Sequence, residues 1–201
     1  MSEFGAVVRR RRMCRSFRAE PVAPELIDEL VELAARAPSA GKAQGWHLVV
    51  LEGDHTDRFW RHAFSVDRRG SFQWPGLFDA PVIALAFADP DAYVTRYAEP
   101  DKAATGLGEG AEAWPTPYWT VDASMAVMTL LHAAEDRGLG ALFFAVFHGA
   151  DAVRRELTVP GNLQLIGAIA LGWPSHEPMA AGASAARPRR SPAEIVHRNG
   201  W

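Results

Sequence analysis

Residues 81–88, Pro-Val-Ile-Ala-Leu-Ala-Phe-Ala, are apolar without a break. The run has the length of one strand, and a strand with no polar side chain must be covered on both faces. That segment alone commits the chain to a layered fold. The flanking sequence supplies the layers. Residues 2–12 read as a helix with Ser2 as its N-cap. Pro24 opens a second helix, whose apolar face is Leu26, Ile27, Leu30, Val31 and Ala34, and Pro38 closes it. Trp46 to Leu51 reads as a strand, with Trp46 as a core residue, and Asp54 as the cap of a short helix to about Ala63. Thr120 reads as the cap of a long helix to about Arg137, with Val121, Met125, Met128, Leu131 and Ala134 as its buried stripe and Gly138 as its end. Then come a strand from Ala141 to Phe147, a short helix from Ala150 to Leu157 and a last strand from Leu163 to Leu171. Residues 90–118, rich in Ala, Gly, Glu and Pro, read as a long loop. The class is mixed α and β. Pattern alone favours a parallel sheet.

Composition narrows the function. Hydrophobic residues make up 48% of the 201, enough for the core of one large domain or two small ones. No internal repeat or domain-scale linker interrupts them. A pI near 6.2 argues against a dedicated nucleic-acid binder. Cys14 is the only cysteine, so no intrachain disulfide can form, which fits a reducing compartment. The start has no secretory pattern, and no run approaches the ~18 apolar residues of a membrane span. The expectation is a cytoplasmic protein with no membrane or nucleic-acid partner. The histidines show no metal-ligand spacing, and Gly106-x-Gly108-x-Gly110 is no dinucleotide fingerprint. Cys14 reads as a spectator and Asp122 as structural.

Two arginine clusters stand far apart: Arg11, Arg12 and Arg15 near the start, Arg187 and Arg189 near the end. With a net charge of −3 the chain has no general need of them, whereas a bound dianion such as a cofactor phosphate would use them. Between them lies Ala37-Pro38-Ser39-Ala40-Gly41-Lys42-Ala43-Gln44-Gly45-Trp46, a loop of small and amide residues leading into a strand.

These segments, in their order and spacing, resemble the FMN-dependent nitroreductase family. Members open with an Arg-Arg-Ser-x-Arg-x-Phe-like stretch, continue with a Pro-Ser-x-x-Asn-x-Gln-Pro-Trp-like loop and close with a Lys/Arg-x-Arg tail. The resemblance runs from about residue 7 to 197. Between about 64 and 118 it carries no signature. It implies an α+β, nitroreductase-like fold with a central, mostly antiparallel sheet flanked by helices. It further implies an intertwined homodimer with FMN at each interface. Residues 1–172 would form the flavin domain and residues 173–201 a C-terminal strap over the partner subunit.

The resemblance also assigns residues. Arg11, Arg12, Met13 and Arg15 fall on flavin-contacting positions, with Arg11 and Arg15 reaching phosphate or ribityl oxygens. Met13 stands where serine is usual. Pro38, Ser39, Ala40, Gly41, Lys42 and Gln44 would meet the flavin from the partner subunit; Lys42 replaces the usual Asn, and Gly45 a common proline. Phe143, Phe144, Ala145 and Val146 would run beside the isoalloxazine ring, with Ala145 where larger members carry an acid. Arg187 and Arg189 would close the phosphate site. Apart from the resemblance, the aromatic content of Tyr93, Tyr97, Trp114, Tyr118 and Trp119 suits a flat substrate and would decide among flavin reactions, with Tyr118 and Trp119 as the substrate-binding candidates. The implied activity is hydride transfer from NAD(P)H to FMN, then two electrons to a nitroaromatic, quinone or similar acceptor, with no catalytic side chain. The alternatives are another flavin reaction on the same fold (dehalogenase, flavin-fragmenting synthase, dehydrogenase) or a flavin-storage protein.

Overall fold

The computed structural model describes residues 3–176 and 182–201. In chain order the helices are α1 (Phe4–Arg10), α2 (Pro24–Ala34), α3 (Asp57–Ala63), α4 (Val66–Arg69), α5 (Pro90–Tyr97), α6 (Tyr118–Asp136), α7 (Ala150–Glu156) and α8 (Pro192–Ile195). The strands are β1 (Trp46–Glu52), β2 (Val82–Ala88), β3 (Gly140–Phe144) and β4 (Gln164–Gly172). They form one sheet in the order β1-β2-β4-β3, and every pair is antiparallel. The fold is therefore α+β, as the resemblance implied.

The apolar run becomes β2, buried at every position. Successive side chains on a strand point to opposite faces. Val82, Ala84 and Ala86, with Ile169 and Leu171 of β4, meet Ile27 and Leu30 of α2 and Val127, Leu130 and Leu131 of α6. Ile83, Leu85 and Phe87, with Ala168 and Ala170, meet Phe59, Trp60, Leu77 and Val153 on the other side. An antiparallel sheet covered on both faces satisfies a wholly apolar strand as well as a parallel one does. The parallel reading is corrected on that ground: burial patterning reports coverage and carries no information on strand direction.

Other expectations shift. Helix α1 occupies only the middle of residues 2–12, and Ser2 lies outside the described residues. Asp54 sits in a 3-10 turn, Gly53–Thr56, ahead of α3, which has no side-chain cap. Helix α6 begins at Tyr118, two residues before the expected Thr120 cap. Its buried face is Trp119, Ala123, Ala126, Val127, Leu130, Leu131 and Ala134, so Leu131 and Ala134 point inward as expected. Val121 and Met128 do not: they are 39% and 37% exposed. Strand β3 stops at Phe144, and Phe147 is exposed.

The largest correction falls on residues 90–118. They hold α5 and three 3-10 turns rather than one open loop. Asp89 caps α5, its carboxylate accepting from the amides of Asp91 (3.0 Å) and Ala92 (3.4 Å), and Pro90 follows at the first helical position. That Asp-Pro pair was a legible start signal. Without apolar periodicity behind it, the stretch that follows reads as a long loop.

Candidate functional site

Strand β3 lies at one end of the sheet, so one of its edges has no neighbouring strand. Part of that edge is covered by the segment after α1. Met13 bridges Ala141 in parallel, and the Cys14 amide donates to the Ala141 carbonyl at 2.9 Å. Beyond Ala141 the edge opens onto a cleft of about 910 Å³. Its volume lies near the top of the usual range of ~300–1,000 Å³ for small-molecule sites. Every residue from Leu142 to His148 lines it. Because side chains alternate along a strand, continuous lining means the backbone edge itself faces the cavity.

Much of the remaining lining is aromatic: Phe59, Trp60, Phe64, Phe72 and Trp74. Trp60 stacks on Phe144, with planes 4° apart and centroids 6.0 Å apart. Helix α3 is held to α7 by Glu156, which accepts from Arg58 Nε at 3.1 Å and lies 3.7 Å from His62 Nε2. The Arg58 hydrogen bond holds the Glu156 carboxyl below its ordinary value. Phe64, Phe72 and Trp74 come from the region without a family signature. The only sequence signal of this aromatic lining was the density of aromatics between residues 59 and 78.

The arginines of the first cluster separate. Arg15 lines the cleft, with its guanidinium 4.9 Å above the Trp74 ring and Nη1 donating to the Met13 carbonyl at 3.3 Å. Arg11 is half-buried, and its Nε and Nη1 are buried with no hydrogen-bond partner among the described residues. Such orphaned donors cost roughly 1–3 kcal/mol each until an acceptor arrives. Burial, with the Arg11 guanidinium adding to it, holds the His132 imidazole below its ordinary value. Arg12 turns back onto the end of α1, donating from Nη1 to the carbonyls of Arg9 (2.6 Å), Arg11 (2.9 Å) and Arg10 (3.3 Å). Met13 contributes backbone to the β3 edge and packs its side chain against both core layers. Cys14 is half-buried, its thiol pushed up by that burial.

The Pro38–Gln44 loop lies elsewhere, against α5 and α6, and lines no part of the cleft. Gly41, Lys42 and Gln44 have φ of 59°, 57° and 53°. For Lys42 and Gln44 that left-handed backbone costs on the order of 1–3 kcal/mol each. At Gly41 a Cβ would come within 2.8 Å of Tyr97 Cε2. Gly45 packs as closely, a Cβ there meeting the Asp89 carbonyl at 2.7 Å. Lys42 and Gln44 are both exposed.

What holds this loop was not legible as function. Asp122 of α6, 5% exposed, accepts at Oδ2 from the Ala40 amide (2.7 Å) and the Tyr93 hydroxyl (2.8 Å). Burial, then the Asp122 carboxylate, push the Tyr93 phenol far above its ordinary value, so it stays a donor. Ser39 Oγ accepts the Gln44 amide at 2.8 Å, and Arg96 Nε donates to the Gly41 carbonyl at 2.8 Å. Arg96 is itself gripped by both carboxylate oxygens of Asp101 at 2.7 and 2.8 Å.

The remaining expected residues fall as follows. Trp119 is buried, donating from Nε1 to Gln164 at 2.9 Å, within a cluster with Tyr93 and Trp114. Tyr118 is 43% exposed beside Trp114. The start of the tail is anchored next to Arg15: Ser175 donates to the Ser16 carbonyl at 3.0 Å, and Pro174 bridges Phe17. Arg187 and Arg189 lie exposed further along it. No cluster of metal-ligating side chains occurs among the described residues, and none of their helices is long and apolar enough to cross a membrane.

An antiparallel sheet with helices on both faces and a deep cleft along its edge strand is the architecture of the nitroreductase fold. The solved structure of a protein from Exiguobacterium sibiricum 255-15 in complex with FMN superposes with a TM-score of 0.75 at 17% identity, covering 98% of this chain and 97% of that one. Residues 8–173 match the model of the Nitroreductase family, and the chain belongs to that family. It is 30% identical over 217 residues to a 4-nitrobenzoate reductase of Nocardioides sp. (strain LMS-CY), covering 92% of this chain and 86% of that protein. It is 28% identical over 186 residues to an NADH dehydrogenase of Thermus thermophilus, covering 84% and 85%.

Proposed function

We propose that this protein is an FMN oxidoreductase, reduced by NADH or NADPH and reoxidised by a nitroaromatic, quinone or similar flat acceptor. The observation that carries the reading is the convergence of Arg15 and the open edge of β3 on one aromatic-walled cleft. The residues fit the cofactor. Arg15 brings a fixed charge to the cleft that suits phosphate or ribityl oxygens, whereas Arg11, with its buried donors lacking an acceptor, does not line the cleft. The backbone from Phe143 to Val146 offers a surface for a flat ring. The names of the relatives agree: an FMN complex, an NADH dehydrogenase and a nitrobenzoate reductase.

When bound, FMN would supply the two-electron chemistry between nicotinamide and acceptor. The chain's own residues bind and orient. Phe64, Phe72 and Trp74 line the cleft and would shield one face of a bound ring from water. No side chain has to act as a general acid, because water can deliver protons to an open site.

The second half of the site would come from a second copy. Phe4, Val8, Val121 and Met128 leave α1 and α6 with an apolar outer face, 72%, 42%, 39% and 37% exposed. Apolar side chains set at helical spacing on an outer face suit burial against another copy. In a homodimer built on that face the Pro38–Gln44 loop would reach the partner's cleft. Residues 173–201 would cross the partner and carry Arg187 and Arg189 to the phosphate.

The experiment is an absorption spectrum of purified protein, identification of the released flavin, and anaerobic titration with NADH and with NADPH. Yellow protein that releases FMN, bleaches with a reduced nicotinamide and recovers with a nitroaromatic or quinone is the expected result. Colourless protein that ignores added FMN contradicts the proposal. Flavin that reoxidises in air yet consumes no nicotinamide would favour storage.

A further inference from the structure

A buried acid normally sits opposite a cation. Asp122 does not: the partners shown for its carboxylate are a backbone amide and a phenol. Removing a carboxylate from water is expensive unless strong donors replace the water. Something must therefore make that position valuable.

The two donors show what it is. One is the amide of Ala40, inside the Pro38–Gln44 loop. The other is the hydroxyl of Tyr93, which lies 3.4 Å from Ser39 Oγ. Ser39 Oγ in turn accepts the amide of Gln44, whose φ is 53°. An unbroken chain of polar contacts thus runs from the buried face of α6 through Tyr93 and Ser39 to a left-handed residue at the rim. From the other side Arg96 fixes the carbonyl of Gly41. A loop with two non-glycine residues at positive φ persists only where its surroundings over-determine it. Here Asp122, Tyr93, Ser39 and Arg96 do so. The product is an outward presentation of Lys42 and Gln44, both exposed, at a fixed distance from the core.

We propose that Asp122 and Tyr93 are positioning residues for the flavin site: they hold the strained loop so that Lys42 and Gln44 meet the cofactor bound by a second copy of this chain. The assignment rests on the reading that this loop reaches the partner's FMN. Asp122 touches neither flavin nor substrate. It acts through the Ala40 amide and the Tyr93 hydroxyl. An asparagine side-chain oxygen can accept both of those bonds, whereas alanine accepts neither.

The test uses the full-length protein stripped of flavin and titrated with FMN by fluorescence, with amide hydrogen exchange at Ala40 and Gln44 as a second readout. Five variants are needed: Asp122→Ala, Asp122→Asn, Tyr93→Phe, Lys42→Ala and Gln44→Ala. The expected result is a tenfold or greater loss of FMN affinity in Asp122→Ala and a smaller loss in Tyr93→Phe. Asp122→Asn should restore affinity to within about threefold of wild type, because one oxygen still accepts both donors. Exchange at Ala40 and Gln44 should quicken in Asp122→Ala and Tyr93→Phe and not in Asp122→Asn. Should Asp122→Ala fail to fold, Tyr93→Phe carries the test, since its ring packing on Trp114 and Trp119 is kept. Loss of affinity in Lys42→Ala or Gln44→Ala with none in Asp122→Ala or Tyr93→Phe overturns the positioning role alone. Wild-type affinity in both loop variants, with faster exchange in Asp122→Ala, removes the loop from the flavin site. That signature fells the parent reading and this assignment together.

Discussion

The Pro38–Gln44 loop and the C-terminal tail are both assigned to one flavin site by family resemblance, and they are built in opposite ways. The loop is locked in the single chain. Asp122, Tyr93, Ser39 and Arg96 hold it from inside, and its two left-handed non-glycine residues are already in place. The tail is anchored at Pro174 and Ser175, and the contacts shown near its end, among the described residues 190–201, are local. The Glu194 carboxylate accepts the Ser191 amide at 2.7 Å to cap the one-turn α8, His197 stacks on Trp201 at 4.0 Å, and Arg187 and Arg189 stay exposed. A group positioned within the chain meets its ligand without further ordering. A tail that must be ordered pays conformational entropy when the site assembles. The loop should therefore tune the site, and the tail should decide whether it exists.

The harshest way to break that contrast is to end the chain after His176, which keeps the Phe17–Pro174 bridge and the Ser175 hydrogen bond. FMN affinity should fall by more than about 100-fold, the combined effect of two charge-assisted contacts at roughly 1.5–3 kcal/mol each. Dimer stability should fall with it. Sedimentation and flavin titration read both. A truncated protein that stays dimeric with full flavin occupancy would show that the tail is dispensable.

A finer cut separates the arginines. Arg15→Ala and Arg189→Ala should each weaken FMN binding roughly 10- to 150-fold, and the double variant should fall short of the product if both serve one phosphate. Arg9→Ala, on an exposed helix end, should change it little. Equal, small effects at all three positions would reduce the clusters to surface charge.

Much of this contrast was hidden in the sequence. The elements were legible where hydrophobic pattern and punctuation agree: the apolar run of β2, Pro24 at the start of α2, Gly138 after α6. Strand direction was not, because burial on both faces is common to parallel and antiparallel sheets. The expected α6 stripe includes Val121 and Met128, which point outward, and omits the smaller Ala123 and Ala126, which point in. Periodicity alone could not tell a core face from one suited to a second copy. Of the site, the Arg15 segment and the 143–146 strip were recognised by motif, and they do share a cleft. Asp122 reads as structural, but what it braces was hidden, because its partners are 29 and 82 residues away and one of them is a backbone amide. No local spacing encodes such a contact.

The smallest expected effect lies away from the site and tests the rigid half of the comparison. Glu29 of α2 pairs with Arg137 at the end of α6, and that hydrogen bond lowers the Glu29 pKa below its ordinary value of 4.5. A carboxyl depressed in the folded state adds stability that is fully present above its unfolded pKa. That stability is lost as pH falls through the lower folded value. Melting temperature followed from pH 7 to pH 3 should therefore drop slightly more steeply below about pH 4.5 for wild type than for Glu29→Gln. Parallel curves would mean the pair adds nothing to the α2–α6 scaffold.

The central claim is that one flavin site is shared by two chains, with the β3 cleft from one and the Pro38–Gln44 loop from the other. Mixing an Arg15→Ala chain with a Gln44→Ala chain tests it directly. In the mixed dimer one site would combine both lesions and the other would combine an intact cleft with an intact loop. Titration of the purified mixed dimer with FMN should show half the sites binding with wild-type affinity and half binding weakly. If no site in the mixed dimer keeps wild-type affinity, the loop serves the cleft of its own chain and the account is contradicted.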